Sequence, residues 1–355
     1  MDNFKRVQEI NRQLNIDALL ISNGNNMRYV SGFAGETGYL YISQNRHAII
    51  TDFRYTFQAE NEASGYEIIT IASGGYEEAI NDILSLDNVN RLGFEANDMM
   101  YARYEELKDK LNVAELVPIG DEVTRLRRIK TSRELEYIKQ AQAIGDKVFK
   151  EILDFIKPGM TELEIAARIE YLLKLYGGQR TSFEAIVASG VNSSMPHAVP
   201  TLKKVEVGDF ITMDYGCVYE GYCSDMTRTI VLGKASDKQK EIYNIVLEAQ
   251  LAALDFIKAG RKGKEVDKIA RDIINNAGYE GCFGHGLGHS VGLFIHENPR
   301  LSPSEDDILE AGMTETVEPG IYVRGFGGVR IEDLVVVTED GHENFTHSNK
   351  NLIEL

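Results

Sequence analysis

Asp154-Phe155-Ile156-Lys157-Pro158-Gly159 recurs 101 positions later as Asp255-Phe256-Ile257-Lys258-Ala259-Gly260. In each copy a predicted helix ends at the glycine and a second helix follows; the first of these opens with the spacing of a capping box, Thr161 and Glu164. Apolar runs typical of strands follow each second helix, at 183–189 and 210–219 and then at 313–318 and 329–337. Chance or helix-stop chemistry can produce so short a match, but the shared order of elements favours a duplication. We expect an α+β domain of two helix–helix–hairpin halves with a site between them.

The front of the chain has a different pattern. In residues 1–120, apolar runs alternate with polar segments of helical spacing, which predicts an α/β layer. The apolar runs lie at 17–22, 39–43, 47–51, 66–71, 89–94 and 113–117, and the polar segments at 53–63, 76–84 and 98–111. A charge-rich stretch then precedes a long helical pattern at 134–156. These features place a domain boundary there and divide the chain into 1–124 and 125–355.

Composition excludes several classes of protein. The 355 residues carry 38 Lys and Arg against 55 Asp and Glu, a net charge of −17, so phosphate backbones would repel the chain and a nucleic-acid partner is not expected. Three cysteines argue against a disulfide scaffold. No apolar run approaches the ~18 residues of a membrane span, and the first residues lack the apolar core of a signal peptide. We expect a cytoplasmic protein without a membrane partner.

Four acidic residues occupy symmetric positions in two predicted hairpins. Asp214 and Asp225 are equidistant from the 219/220 midpoint, and Glu318 and Glu332 are equidistant from Gly325. Directly opposed residues of a hairpin have Cβ atoms about 5 Å apart. Solvated strand-face acids are the ordinary alternative, but Asp and Glu are poor strand formers and these flank apolar strands. Four converging carboxylates require cations between them.

Three histidines, His285, His289 and His296, fall within twelve residues beside the second hairpin, among glycines that allow close backbone approach. Carboxylates joined by imidazole favour a hard or borderline cation such as Mn(II) over a thiolate zinc site. Cys217 and Cys223 do not have a metal-binding spacing and are expected to be small buried residues.

Five separated motifs resemble those of the pita-bread metallopeptidases, and within them the Xaa-Pro branch of prolidase and aminopeptidase P. A front-domain motif, Asn26-Met27-Arg28-Tyr29-Val30-Ser31-Gly32-Phe33, is similar to the creatinase-type N-terminal domain. The five catalytic-domain motifs, in order, are Met213-Asp214-Tyr215-Gly216, Ser224-Asp225-Met226-Thr227-Arg228, Gly284-His285-Gly286-Leu287-Gly288-His289, Val317-Glu318-Pro319-Gly320-Ile321-Tyr322 and Arg330-Ile331-Glu332-Asp333.

The resemblance implies a homodimeric hydrolase with two divalent metal ions per chain, Mn(II) first, with Co(II) or Zn(II) as alternatives. A hydroxide that bridges the metals would attack the carbonyl before proline in short peptides. The implied ligands are Asp214, Asp225, His289, Glu318 and Glu332.

The same resemblance suggests roles for other residues. Glu318 would also take the proton of the water, and His197 and His296 would stabilise the oxyanion and substrate. Arg330, two residues before Glu332, shares its strand face and can orient that carboxylate. Tyr322 and His285 are further candidates to support the site and bind substrate.

Arg300 bears on substrate length. It matches a prolidase position that holds the free carboxylate of a dipeptide, a role suited to a guanidinium fork, although a surface arginine is the alternative. On this residue we favour an Xaa-Pro dipeptidase. The nearest alternative is aminopeptidase P acting on longer peptides. A metal-free binding module on the same scaffold and a creatinase-like hydrolase are alternatives from other classes.

Overall fold

The computed structural model describes residues 2–72 and 75–355 of the chain. It divides into two compact units, the first ending at Arg127 and the second beginning at Arg128, three residues after the boundary expected from the sequence. No helix among the described residues is both long and apolar enough to cross a lipid bilayer.

The first unit contains a mixed sheet, whose described strands are β1 Ala18–Ile21, β2 Tyr39–Ser43, β3 His47–Thr51, β4 Glu67–Thr70, β5 Arg91–Glu95 and β6 Glu115–Ile119. They lie in the order β4-β3-β2-β1-β5-β6. The β1–β2 and β2–β3 pairs are antiparallel, and the other pairs are parallel. Every side chain of β1 is buried, as expected for a strand with both faces covered. The predicted α/β layer is confirmed.

The described helices of the first unit are α1 Asn3–Gln13, α2 Gly24–Ser31, α3 Phe53–Glu62, α4 Gly75–Leu86, α5 Tyr101–Lys110 and α6 Glu122–Arg125. Helices α3, α4 and α5 correspond to the predicted helical segments, whereas α1, α2 and α6 were not predicted. In α1 only Val7, Ile10 and Asn11 are buried, so its apolar stripe is narrow. The α2 helix begins after Asn23, whose side chain accepts a hydrogen bond from the Asn26 N–H at 3.0 Å.

The helices of the second unit repeat as two pairs. The long helices are α7 Ser132–Phe155 and α9 Asp237–Phe256, and each is followed by a shorter one, α8 Glu162–Leu175 or α10 Gly263–Ile274. The turns between the helices match in detail, because Gly159 N–H donates to Val205 O and Gly260 N–H donates to Leu309 O, both at 2.8 Å. The duplicated helix–helix–hairpin architecture is therefore confirmed.

The strands of the second unit form small sheets around these helices. A 3₁₀ turn, Gly190–Ser194, and a π-helical turn, Asn275–Tyr279, complete the described elements. Each half packs its own apolar core, one around α7 and α8 and one around α9 and α10. The described strands are β7 Arg180–Thr181, β8 Ile186–Ser189, β9 Phe210–Tyr215, β10 Cys217–Tyr219, β11 Tyr222–Cys223, β12 Met226–Val231, β13 Gly288–Ser290, β14 Glu297–Leu301, β15 Thr314–Val317, β16 Gly320–Val323, β17 Gly327–Arg330, β18 Asp333–Val337 and β19 His342–Asn344.

The register of the first hairpin differs from the prediction. Asp214 pairs with Thr227, not with Asp225. The two central turn residues are Glu220 and Gly221, with φ of 48° and 85°, as a two-residue type I′ turn requires. The turn centre is thus one residue later than predicted, and direct opposition of the two aspartates is wrong. Asp225 is instead a diagonal neighbour of Asp214 on the same face.

The register of the second hairpin agrees with the prediction. Gly320 pairs with Arg330 on one side of the acidic pair, and Val317 pairs with Asp333 on the other. The common register places Glu318 opposite Glu332, at the break between β15 and β16 and between β17 and β18. Each hairpin therefore presents two carboxylates on one face.

Candidate metal centre

The five candidate ligands come from both hairpins and from β13. Asp214 lies near the end of β9, and Asp225 directly precedes β12. Their side chains are 12% and 6% exposed, and that of Glu318 is 15% exposed. His289 is buried in β13 and Glu332 is 1% exposed. Five polar side chains are thus withdrawn from water at one place.

The structure brings these side chains close together. His289 Nε2 lies 3.4 Å from Asp225 Oδ2 and 3.5 Å from Glu318 Oε1. One candidate ligand atom from each of Asp225, His289 and Glu332 lies within 4.8 Å of the other two. Atoms at this spacing can coordinate a common cation.

Three carboxylate oxygens in the cluster have no partner. Asp214 Oδ1, Asp225 Oδ1 and Glu332 Oε1 are buried and make no hydrogen bond. A buried acceptor without a hydrogen-bond partner costs free energy, so three of them at one place indicate that a positively charged group binds among them. Carboxylate oxygens together with one imidazole nitrogen are a donor set that suits divalent ions such as Mn(II). The residues present therefore fit a bound divalent cation.

The tautomer of His289 also suits a ligand. Its Nδ1 lies 3.1 Å from the Ser290 carbonyl oxygen, which can only accept a hydrogen bond. Nδ1 therefore carries the hydrogen, and the lone pair of Nε2 points toward the carboxylates. Burial lowers the pKa of His289, which keeps the ring neutral.

The carboxylates have perturbed acidities. Burial, reinforced by neighbouring carboxylates, raises the pKa of Asp225 and of Glu332 well above the usual range. Burial likewise raises the pKa of Glu318 to about 7, with Asp225 adding to the effect and His289 opposing it. Like charges in a dry site disfavour ionisation unless a cation accompanies them.

Two glycines permit the strands to approach closely. A Cβ on Gly216 would lie 1.8 Å from Ser224 O, and a Cβ on Gly288 would lie 1.9 Å from Thr316 O. A side chain at Gly288 would push β13, and with it His289, away from β15 and Glu318. The close packing of the strands therefore requires glycine at both positions.

Arg330 connects the ligands of the two hairpins. Its Nη2 donates to Asp214 Oδ2 at 2.6 Å, and its Nε donates to Thr227 Oγ1 at 3.0 Å. Thr227 Oγ1 in turn donates to Glu332 Oε2 at 2.7 Å. One guanidinium thus orients a carboxylate of each hairpin, directly for Asp214 and through Thr227 for Glu332.

Tyr322 and His285 hold Arg330 from the other side. Arg330 Nη1 donates to the Tyr322 hydroxyl at 2.9 Å, and that hydroxyl lies 2.9 Å from His285 Nε2. His285 Nδ1 lies 2.8 Å from the Gly286 carbonyl oxygen, so it donates there and Nε2 accepts from the tyrosine. Burial, followed by the charge of Arg330, lowers the pKa of His285 to about 4.

A cavity of about 700 Å³ opens onto the cluster. His197, His296 and Arg300 line it together with the five candidate ligands. The His296 ring meets that of His289 edge-on at 4.6 Å, and burial lowers the pKa of His296 to about 4. All the predicted site residues except Tyr322 line this cavity, and Tyr322 contacts Arg330.

Two threonines that were not predicted to belong to the site contact its carboxylates. Thr227 donates to Glu332, and Thr316 donates to Glu318 Oε1 at 3.1 Å while accepting from the His289 N–H at 3.0 Å. Each lies two residues from a candidate ligand on the same strand face, Thr227 after Asp225 and Thr316 before Glu318. That period-two spacing is the signal that could have identified them.

Comparison with known proteins gives a consistent result. Residues 136–339 match metallopeptidase family M24, and residues 4–129 match the creatinase/prolidase N-terminal domain. The chain is 38% identical over 356 residues to an Xaa-Pro dipeptidase of Pyrococcus horikoshii, covering 99% of each chain.

Solved structures agree over almost the whole length. An Xaa-Pro dipeptidase from Bacillus anthracis superposes with a TM-score of 0.97 at 45% identity, covering 100% of this chain and 99% of the other. An X-Pro aminopeptidase from Thermotoga maritima superposes with a TM-score of 0.92 at 38% identity, covering 98% and 100%. The chain belongs to metallopeptidase family M24 and is a metal-dependent peptidase with a creatinase/prolidase N-terminal domain.

Proposed function

We propose that this peptidase is an Xaa-Pro dipeptidase that uses two divalent cations, Mn(II) first and Co(II) or Zn(II) as alternatives. The proposal that the enzyme binds metal ions rests on one observation, the cluster of buried carboxylates in which three oxygens have no hydrogen-bond partner. The relatives named Xaa-Pro dipeptidase support the substrate class. Short proline-containing peptides are the expected substrates, and a homodimer is the expected assembly.

Five residues are proposed to hold the cations: Asp214, Asp225, His289, Glu318 and Glu332. When bound, such cations supply Lewis acidity, which makes a water nucleophilic near neutral pH and polarises the scissile carbonyl. Arg330 and Thr227 fix the orientation of the carboxylates on which this arrangement depends. Tyr322 contacts both Arg330 and His285, which favours a positioning role for Tyr322 and His285 in place of the substrate contact first expected.

Proton transfer is assigned to Glu318. Its side chain, at 15% exposed, is more accessible than those of Asp214 and Asp225. Thr316 holds one of its oxygens, Oε1, at 3.1 Å. A carboxylate fixed at one oxygen and open toward the cavity can take the proton of the attacking water and deliver it to the leaving proline nitrogen.

His197 and His296 are assigned to the substrate carbonyl. Both line the cavity, and His296 stands edge-on to His289. With its pKa lowered to about 4, His296 is neutral at pH 7 and can donate one N–H to an oxyanion without a charge of its own.

Arg300 decides between dipeptide and longer substrates. It lines the cavity, and no carboxylate of the described residues forms an ion pair with its side chain. A free guanidinium in the cavity suits the terminal carboxylate of Xaa-Pro. The alternative is an Xaa-Pro aminopeptidase, the name of the Thermotoga maritima relative.

The test compares hydrolysis of Ala-Pro and Ala-Pro-Ala by the metal-loaded enzyme. We expect Mn(II)-dependent release of alanine from the dipeptide and loss of activity in a chelator. Arg300→Met should raise KM for Ala-Pro about tenfold or more, the effect of losing a hydrogen bond to a charged group, and leave Ala-Pro-Ala little changed. Cleavage of the tripeptide alone would favour the aminopeptidase, and protein that binds no metal by elemental analysis would favour a binding module.

A further inference from the structure

Most charged groups that line the cavity belong to the candidate metal cluster or contact it. Asp214, Asp225, Glu318 and Glu332 are candidate ligands, and Arg330 pairs with Asp214. Among the other lining residues, all of which lie in the described part of the chain, only the Glu184 and Arg300 side chains carry a charge without a hydrogen bond or ion pair. Outside the metal cluster, the cavity therefore offers a substrate one free negative and one free positive group.

We propose that Glu184 selects substrates with a cationic side chain, lysine or arginine, at the residue before proline. This inference rests on the proposed function, in which Arg300 accounts for the other free charge by binding the terminal carboxylate. Glu184 is exposed at the cavity, so it can meet the end of a long side chain without the cost of desolvating a buried acid.

The position of Glu184 bears on which cationic group of a dipeptide it can meet, the α-ammonium or the end of the first side chain. Ile186 pairs with Asp214 across β8 and β9. Glu184 precedes it by two residues, so its Cα lies within about 12 Å of that of Asp214, given roughly 7 Å for two residues and about 5 Å across the strands. The substrate α-ammonium is one carbon from the scissile carbonyl and must therefore lie among the metal-site carboxylates. The side chain of the first residue can extend from there toward Glu184.

The adjoining wall suits the aliphatic part of such a side chain. Phe183 and Ile186, which are close to Glu184 in the sequence, line the cavity, and so does Val199, which is 69% exposed. Lysine and arginine bury their methylene stems on apolar surface while the charged end stays in water. The wall and the carboxylate together match an amphipathic side chain better than a small or an acidic one.

The test measures kcat/KM for Lys-Pro and for norleucine-Pro, which has the same four-carbon stem without the charge. Glu184→Gln should lower the Lys-Pro to norleucine-Pro ratio about fivefold, mainly through KM, since a solvent-exposed ion pair contributes little more than this. Glu184→Lys should lower it further and improve Glu-Pro. Glu170→Gln, which removes an equal charge from an exposed position on α8 that is not part of the cavity lining, should leave the ratio unchanged.

An unchanged ratio in Glu184→Gln, with both dipeptides cleaved, would overturn the inference and leave the dipeptidase assignment intact. Cleavage of tripeptides alone would overturn the dipeptidase assignment, and the same ratio measured on Lys-Pro-Ala and norleucine-Pro-Ala would then decide the role of Glu184. Wild-type enzyme that cleaves no proline peptide in Mn(II) would overturn both.

Discussion

Replacing Lys130 with methionine would remove the positive charge of a buried ion pair in the second unit. Lys130 Nζ donates to Ser290 Oγ at 3.0 Å and lies 3.4 Å from Glu297 Oε2. The two charged side chains are 1% and 3% exposed. Glu297 Oε1 also accepts from the Phe294 N–H at 3.2 Å. The pair therefore fixes the loop that joins His289 to His296.

The magnitude follows from this burial. Removing one partner of a buried ion pair costs about 3–5 kcal/mol, because the other charge stays in an interior that water does not reach. The 3.4 Å separation argues for the lower end, so we expect Lys130→Met to lower the free energy of unfolding by about 3 kcal/mol. The double variant Lys130→Met/Glu297→Gln removes both charges, and the glutamine can still accept from Phe294. We expect it to lie within about 1 kcal/mol of wild type.

Equilibrium urea unfolding in a chelator measures these differences without the contribution of bound metal. Far-UV circular dichroism and tyrosine fluorescence are suitable probes, since the chain has no tryptophan. Lys139→Met is the matched control: its pair with Glu343 is 37% and 57% exposed and should contribute at most about 1 kcal/mol. The reasoning would be refuted if Lys130→Met were as stable as the control variant. It would also be refuted if the double variant lost as much free energy of unfolding as the two single variants lose together.

Three further predictions concern the metal centre. Asp225→Asn should abolish Mn(II)-dependent peptidase activity while the circular dichroism spectrum stays native; retained activity would show that Asp225 is not a ligand. Thr227→Val removes the donor to Glu332 and an acceptor of Arg330, so Mn(II) affinity measured by calorimetry should fall about 10- to 100-fold; an unchanged affinity would contradict this. His285 has a folded pKa of about 4 against 6.5 unfolded, so the unfolded chain binds more protons between these values and stability falls as pH falls from about 6.5 to about 4. The loss should be smaller in His285→Gln, and an equal pH dependence in both proteins would argue against a neutral buried His285.

Patterns of local order were enough to predict much of the fold. Strands β2 and β3 coincide with the apolar runs predicted at 39–43 and 47–51, because glycine or polar residues bound each run. The duplicated halves were visible because a helix stop has a strong local signature. The α1 helix was missed because its apolar stripe consists of few residues, and its packing depends on contacts that no local pattern contains.

The hairpins show how sensitive a register is to its turn. Symmetric counting placed the second pair correctly, around Gly325, but misplaced the first by one residue at Glu220 and Gly221. A single residue in a turn moves every pairing partner. Asp225 nevertheless remains on the face of Asp214, because the error shifts its partner by two positions along the other strand.

The links among the site residues could not be predicted from the sequence. Arg330 was expected to serve Glu332, but its direct contact is with Asp214 of the other hairpin, and Thr227 mediates the contact to Glu332. Such links depend on how two hairpins pack, and spacing within one hairpin carries no information about that packing. The assignment of the metal ligands themselves stays a prediction.

The division of the candidate ligands between the two hairpins has a consequence for biosynthesis. Asp214 and Asp225 leave the ribosome well before Glu332, which follows Asp225 by 107 positions. At roughly 5–20 residues per second, the nascent chain carries the aspartates without their later partners for on the order of 5 to 20 s. His289 is also missing until 64 residues after Asp225 have been added, and Arg330 is made only two residues before Glu332. On the proposed ligand assignment, the complete metal site therefore forms only late in synthesis, when the last strands dock.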